Sequence, residues 1–303
     1  MSYFEGFLFF ACLIAALIPA VILGYLEKPI GRYAFAVSFV FALLIFSGEP
    51  LQLAYLAVFV LWSYLMARWY LKLREKYGRE GKIYLAFLLA VLVPLVQCKV
   101  SPLFSLNLFG FTGISYLTFR SVQIIIEAYD GVITQISAEE FLAFLLFFPT
   151  LSSGPIDRSR RFLADYTRVR PRAEYEALCG RGLWKLLLGA VYKFVISAAV
   201  FHVLGYLEEA HVWYLVLAYG YVYGVYLFFD FAGYSLMAVG SSYILGIETP
   251  DNFRLPFLSR DIRDFWDRWH ISLSHWFRDY LFTRFVMYAT RKKWFKASGK
   301  DAR

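Results

Sequence analysis

Long apolar runs separated by short charged loops set the rhythm of this chain. Residues 4–26 carry one acid, Glu5, at the very start. Residues 33–46, 51–67 and 83–97 repeat the pattern. About 20 apolar residues cross the ~30 Å hydrocarbon core of a bilayer. The shorter runs therefore need tilt, local thinning or extension into their polar flanks. Residues 4–26 have no basic n-region and no A-x-A cleavage site, and other spans follow at once. They read as a retained span rather than a cleaved signal.

The middle of the chain is less regular. Two apolar segments, 108–129 and 141–151, lie between loops that charge places on opposite sides. An odd number of crossings is required there, so one of the two is expected to be re-entrant or half-buried. Arg120 and Glu127 mark the first as facing protein or water rather than lipid. Residues 183–205 and the Tyr-rich 212–231 read as further spans. Residues 232–247 form only a weak span, rich in Gly233, Ser235, Gly240, Ser241, Ser242 and Gly246. Small residues let membrane helices approach closely. The fold class is all-α and polytopic, with residues 1–303 as one membrane domain.

Charge gives an orientation. Arg68, Lys72, Arg74, Lys76, Arg79 and Lys82 crowd one loop, and seven arginines crowd 157–181. Both loops, and the basic tail 291–303, are expected inside. The N-terminus, Glu49 and the turn at Glu208 and Glu209 are expected outside. The net charge of +8 thus follows from loops between spans and needs no nucleic acid. Basic loops of this kind suit anionic lipid or an acidic partner. With 60% hydrophobic residues, a soluble globule is excluded. Cys12, Cys98 and Cys179 have no paired spacing and read as inert thiols.

Candidate chemistry concentrates in residues 250–288, where charge and aromatics mix too densely for a lipid-facing span. Pro256 breaks any helix there, and Ser259 or Asp261 is placed to cap a new one starting near Ile262. A continuous helix over 262–281 would put Arg263, Asp267, His270 and Ser274 in one polar stripe beside an aromatic face. His270 then lies at the boundary of that stripe, and His275 lies among Asp264, Arg268, Ser272 and Asp279 on another side. Two readings of His270 stand: an imidazole oriented for proton transfer by Asp267, or a histidine bonded within a helix interface. His202 and His211 read as structural. No HExxH, Cys–His cluster, GxSxG or P-loop pattern is present, so no metal is expected. The Ser-Ser-Gly-Pro turn after Phe148 reads either as irregular backbone at membrane depth or as a plain helix stop.

The segments FFPTLSSGPIDRSRRF at 147–162 and NFRLPFLSRDIRDFWDRWHISLSHWFRDYLF at 252–282 resemble the signature segments of the membrane-bound O-acyltransferase (MBOAT) family. Together with GISYLTFR at 113–120, they look like the branch that transfers D-alanine to teichoic acid. The resemblance extends over essentially the whole chain. It implies a ring of helices around a central tunnel, with His270 as the matching catalytic histidine. Ser152, Ser153, Pro155, Asn252, Arg254, Arg260, Arg263, Asp267, Trp269 and Ser274 become candidates for lining the tunnel or docking a carrier. It implies no cofactor bound by the chain itself. D-alanine would arrive as a phosphopantetheine thioester on a DltC-like D-alanyl carrier protein, with a DltD-like membrane partner and teichoic acid as acceptor. The implied location is a Gram-positive cell membrane. The family pattern also has a second histidine in a WHG-like segment, which nothing here matches, so the expected C-terminal helices are taken to be lacking. The competing readings are O-acetylation of an exported polysaccharide and a non-catalytic channel or scaffold for the D-alanylation machinery.

Overall fold

A computed structural model describes residues 4–105, 108–207 and 212–292. It is helical throughout, with no strand among the described residues. Glu208, Glu209, His211 and the tail beyond Lys292, for which sides or roles were expected above, lie outside the described residues. The chain divides into two compact units, Met1–Asn252 and Phe253–Arg303.

The first unit holds α1 (Gly6–Tyr25), α2 (Gly31–Phe46), α3 (Pro50–Tyr77), α4 (Gly81–Val100), α5 (Ile114–Asp130), α6 (Ala138–Leu146), α7 (Ser159–Thr167), α8 (Arg172–Ala190), α9 (Ala198–Leu207) and α10 (Trp213–Ile244). Five stretches are long and apolar enough to cross a membrane: Gly6–Tyr25, Pro50–Tyr77, Gly81–Phe104, Arg172–Leu207 and Trp213–Ile244. The chain is thus a multi-pass membrane protein. α1 shows why. It is apolar all round, yet it buries only Phe9, Leu13, Leu17, Ala20 and Gly24, a stripe at three- and four-residue spacing. Phe7, Leu8, Ile14, Ile18 and Ile22 face outward and need hydrocarbon as their solvent.

Two expectations change here. Residues 212–231 and 232–247 form one 32-residue helix, α10, rather than a span and a weak sequel. Its glycines lower helix propensity but allow the close seam with α8. A Cβ on Gly240 would lie 2.5 Å from the Gly182 carbonyl oxygen, and one on Gly189 would lie 2.7 Å from that of Gly233. Much of the basic stretch 157–181 is helical rather than loop, because α7 forms within it and α8 begins at Arg172. Glu27 accepts the Arg172 backbone N–H at 2.8 Å, satisfying a donor at the start of α8.

α5 and α6 bear out the half-buried reading. α6 has nine residues, about 14 Å at 1.5 Å per residue, too short to span. It starts on a capping box in which Ser137 and Glu140 satisfy each other's backbone donors. α5 begins only at Ile114, after Gly113 at φ +93°, and is buried on nearly every side.

The second unit holds α11 (Ile262–Trp266), α12 (Ile271–Phe277) and α13 (Thr283–Arg291), the last two joined by a π-helical turn at Arg278–Phe282. The continuous helix expected over 262–281 is broken at 267–270. The Arg268 carbonyl accepts the Arg254 N–H at 3.0 Å, and His270 adopts φ +45°. Asp261 caps α11 by accepting the Asp264 N–H, as its position suggested.

Candidate active site

The Ser-Ser-Gly-Pro segment is built from α5 and α6. α6 ends at Leu146, and a 3-10 turn at Phe148–Thr150 leads into the bends. The last carbonyls of a helix have no partner within it. Arg120 of α5 supplies one. Its guanidinium donates to Phe144 O at 2.8 Å and Leu145 O at 2.9 Å. The other terminal nitrogen donates to Thr150 O at 2.5 Å and also bonds the Thr150 hydroxyl. Arg120 is 1% exposed. It therefore serves as cation and as C-cap at once, tying the start of the loop to α5. Glu127, two turns on, accepts the Ser159 hydroxyl at the start of α7. Both intramembrane charges thus face protein, as their positions implied. Between them Gln123 is fully buried, and its amide finds no hydrogen-bond partner among the described residues.

Within the loop, Ser152 Oγ lies 2.8 Å from the Tyr234 hydroxyl of α10. Ser153 is half-buried, and Pro155 is buried. Gly154 packs so closely that a Cβ would lie 2.7 Å from Thr150 Cα. Asp157 is buried and accepts from Arg161 at 2.6 and 2.9 Å and from the Arg158 N–H at 2.6 Å. Burial pushes its carboxyl above the ordinary carboxylate range, although Arg161 and the more distant Arg120 pull the other way. The loop is packed and bonded on several sides, which is more than a plain helix stop requires. Asn252 is buried at the end of this unit.

In the second unit, the other candidates separate by exposure. Arg254, Arg260, Arg263 and Asp267 are exposed, while Trp269, His270 and Ser274 are half-buried. The expected stripe of Arg263, Asp267, His270 and Ser274 does not exist as one helical face, because the chain leaves the helix at Asp267 and re-enters it at Ile271. His270 instead stands at the N-terminus of α12, where its carbonyl accepts the Leu273 and Ser274 N–H groups at 3.0 and 3.1 Å. Trp269 beside it stacks on Phe265 at 5.5 Å and 17°, with Phe253 and Phe257 edge-on. Asp264 braces the approach. Its carboxylate is held down to about 2 by the Arg268 guanidinium at 2.7 Å, helped by the Arg260 N–H. Burial draws the His270 imidazole down to about 4, so it is neutral near pH 7. A neutral imidazole in a low-polarity setting can accept a proton from a hydroxyl.

Lys193 was not anticipated. It lies in the π-helical stretch Val191–Ser197 between α8 and α9 and bonds Asp230 of α10 at 2.6 Å, with Glu5 at 3.5 Å. A lysine in the middle of the apolar run 183–205, well inside Lys185 near its start, was the available signal, and a π-turn often marks function.

Comparison with known proteins gives this geometry a family. Residues 104–298 match the model of the MBOAT, membrane-bound O-acyltransferase family. The chain is 43% identical over 98% of its length to a "Teichoic acid D-alanyltransferase" of Bacillus subtilis (strain 168), covering 78% of that protein. A protein of the same name from Streptococcus thermophilus is 40% identical over 95% of this chain and 72% of its own. The chain belongs to the membrane-bound O-acyltransferase family. It is an O-acyltransferase of the membrane, and its polytopic all-α fold is that of the family. A more distant member, named as a probable alginate O-acetylase of Pseudomonas aeruginosa, is 33% identical over 56% of this chain and 33% of its own. The family match takes in α5, the Ser-Ser-Gly-Pro loop and the His270 segment, so both candidate sites lie in the O-acyltransferase part of the chain.

Proposed function

We propose that this O-acyltransferase moves D-alanine to teichoic acid in a Gram-positive cell membrane. The observation that carries the reading is likeness over 95–98% of the chain to proteins named for that activity, against 56% for the alginate relative. The donor is D-alanine held as a thioester on the phosphopantetheine arm of a DltC-like carrier protein. A DltD-like protein is the membrane partner. His270 accepts the hydroxyl proton as the acceptor oxygen attacks the thioester carbonyl. An ester bond forms, the carbon–sulfur bond breaks, and the proton ends on the departing thiolate. Its neutral state near pH 7 supports this role.

The carrier docks on the cytoplasmic face at the Arg254, Arg260 and Arg263 segment, with the N-terminus outside. The narrower test is transfer from radiolabelled D-alanyl carrier protein in membrane vesicles holding matched amounts of each variant. His270→Asn is expected to lower transfer by about 10²–10⁴-fold, and His275→Ala to keep most of it. Equal loss in both, or none in His270→Asn, removes His270 from the mechanism.

A further inference from the structure

The backbone at His270 is strained, and the strain has an identifiable support. His270 stands at φ +45° and ψ +51°, in the left-handed region. A residue with a Cβ enters that region at a cost and stays only where its surroundings over-determine it. The local sequence does not supply the reason, because its periodicity favours a helix running straight through 262–281. In such a helix the Arg268 and Trp269 carbonyls would accept the Ser272 and Leu273 N–H groups. Instead the Arg268 carbonyl accepts the Arg254 N–H at 3.0 Å, and the Leu273 N–H bonds the His270 carbonyl at 3.0 Å. The Trp269 carbonyl accepts the Ser274 hydroxyl at 3.5 Å.

The bond from Arg254 ties the chain down just before the bend. The Trp269 ring ties down the next residue. It stacks on Phe265 at 5.5 Å and 17°, and meets Phe253 at 5.2 Å and Phe257 at 6.4 Å edge-on. Rings in contact prefer definite offsets and angles, so this cage orients residue 269. Phe253 and Phe257 flank Arg254 in sequence, so the backbone bond and the ring contacts hold the same two segments together. With residue 269 seated on one side and α12 starting at Ile271 on the other, residue 270 has to make the turn. The same packing sets the state of the imidazole. Burial draws it down to about 4, against a bond to its own backbone that raises it. Of the charged groups around the bend, Asp264 and Arg268 hold each other at 2.7 Å, and Arg254, Arg260, Arg263 and Asp267 are exposed.

We infer that Trp269 is a positioning residue: its ring, seated among Phe253, Phe257 and Phe265, holds the left-handed bend that aims and buries His270, and it serves acyl transfer through His270 rather than by touching substrate. The part concerning transfer rests on the role proposed for His270. The bend and the burial of the imidazole do not.

The test pairs a titration with kinetics. The chain has four histidines, so ¹⁵N-histidine NMR of the full chain in detergent can follow each imidazole, with His270→Asn assigning its resonance. The wild-type His270 is expected to titrate near 4. In Trp269→Ala the bend relaxes, and the imidazole is expected to titrate near the ordinary value of about 6.5. Phe265→Leu, which removes the stacked ring without altering the neighbour of His270, is expected to move it the same way and stands in if Trp269→Ala fails to fold. Trp269→Phe, which keeps a ring in the cage, is expected to restore most of the low value. In transfer from D-alanyl carrier protein, Trp269→Ala is expected to lower kcat about 10²-fold, the scale of a small misplacement of a reacting group. KM should stay within about threefold, because no substrate contact is lost. A His270 titration unchanged in both Trp269→Ala and Phe265→Leu would overturn the proposal. So would a wild-type His270 that already titrates near 6.5, or a raised KM with kcat and titration unmoved, which would make Trp269 a substrate contact. Retained transfer in His270→Asn would instead remove the catalytic role of His270, and the titration would still decide the bend.

Discussion

A guanidinium as deeply buried as that of Arg120 persists because its donors meet carbonyls that would otherwise be orphaned at the end of α6. Replacing it removes one side chain but strands at least three acceptors. Each buried unsatisfied group costs about 1–3 kcal/mol. Arg120→Met should therefore destabilise the protein by about 3 kcal/mol or more. A melt in detergent should show a clearly lowered midpoint, and an unchanged midpoint would contradict the clamp. His270 poses a different residue-scale problem, because its φ of +45° suits Asn better than Ala. His270→Asn therefore tests the imidazole with less backbone strain than alanine. The lowered pKa also has a pH signature. The neutral base should persist from pH 8 down to about 5, so transfer should stay level there and fall below it. An unperturbed histidine, near 6.5, would already lose half its activity at that pH. The sign for stability agrees. Between about 4 and 6.5 the unfolded state binds more protons at this site, so its contribution rises with pH and is lost as pH falls through that window. A pH–rate profile with its acid limb near 6.5 would contradict the burial of His270.

Among the elements, α8 and α10 depend most on residues without side chains. Gly182 and Gly189 face Gly240 and Gly233 across a seam in which a Cβ meets backbone at 2.5–2.8 Å. Gly240→Leu should force these helices apart and reduce the amount of folded protein in membranes. Gly220→Ala, in open space on the same helix, should not. Equal behaviour of the two variants in a protease-resistance assay would argue against the seam. The small residues of 232–247 announced this packing, and the apolar runs announced α1 to α4, because burial in hydrocarbon writes itself into composition. The break at 267–270 was not legible. Local periodicity supports a helix through it, and what stops the helix is a long-range event, the Arg254 N–H taking the Arg268 carbonyl while Trp269 packs among Phe253, Phe257 and Phe265. The π-turns at Val191–Ser197 and Arg278–Phe282 were not legible either, because both continue directly into α-helix on each side. His270 was singled out by its motif, and the helical stripe expected to frame it does not form, because the helix is interrupted before it.

For the whole molecule, charge on the loops and apolar area on the spans define one membrane-embedded O-acyltransferase with a sided surface. The orientation proposed above, with the N-terminus outside, would place Arg74 on the cytoplasmic side and Glu49 outside. A cysteine at position 49 should label in intact cells and one at position 74 should not, and the reverse would invert the topology. Charge reversal at Arg260 and Arg263, both exposed, should weaken capture of an acidic D-alanyl carrier protein, most at low salt. Unchanged capture at low and moderate salt would remove this segment from docking. The most direct measurement of the central claim is the ester content of teichoic acid in a Gram-positive strain that lacks its own D-alanyl transferase and expresses this protein. D-alanine ester is expected to return with the wild type and to stay absent with His270→Asn at matched membrane levels. A wild-type protein present in the membrane that restores no D-alanine ester, or that places acetyl groups on an exported polysaccharide instead, would contradict the account.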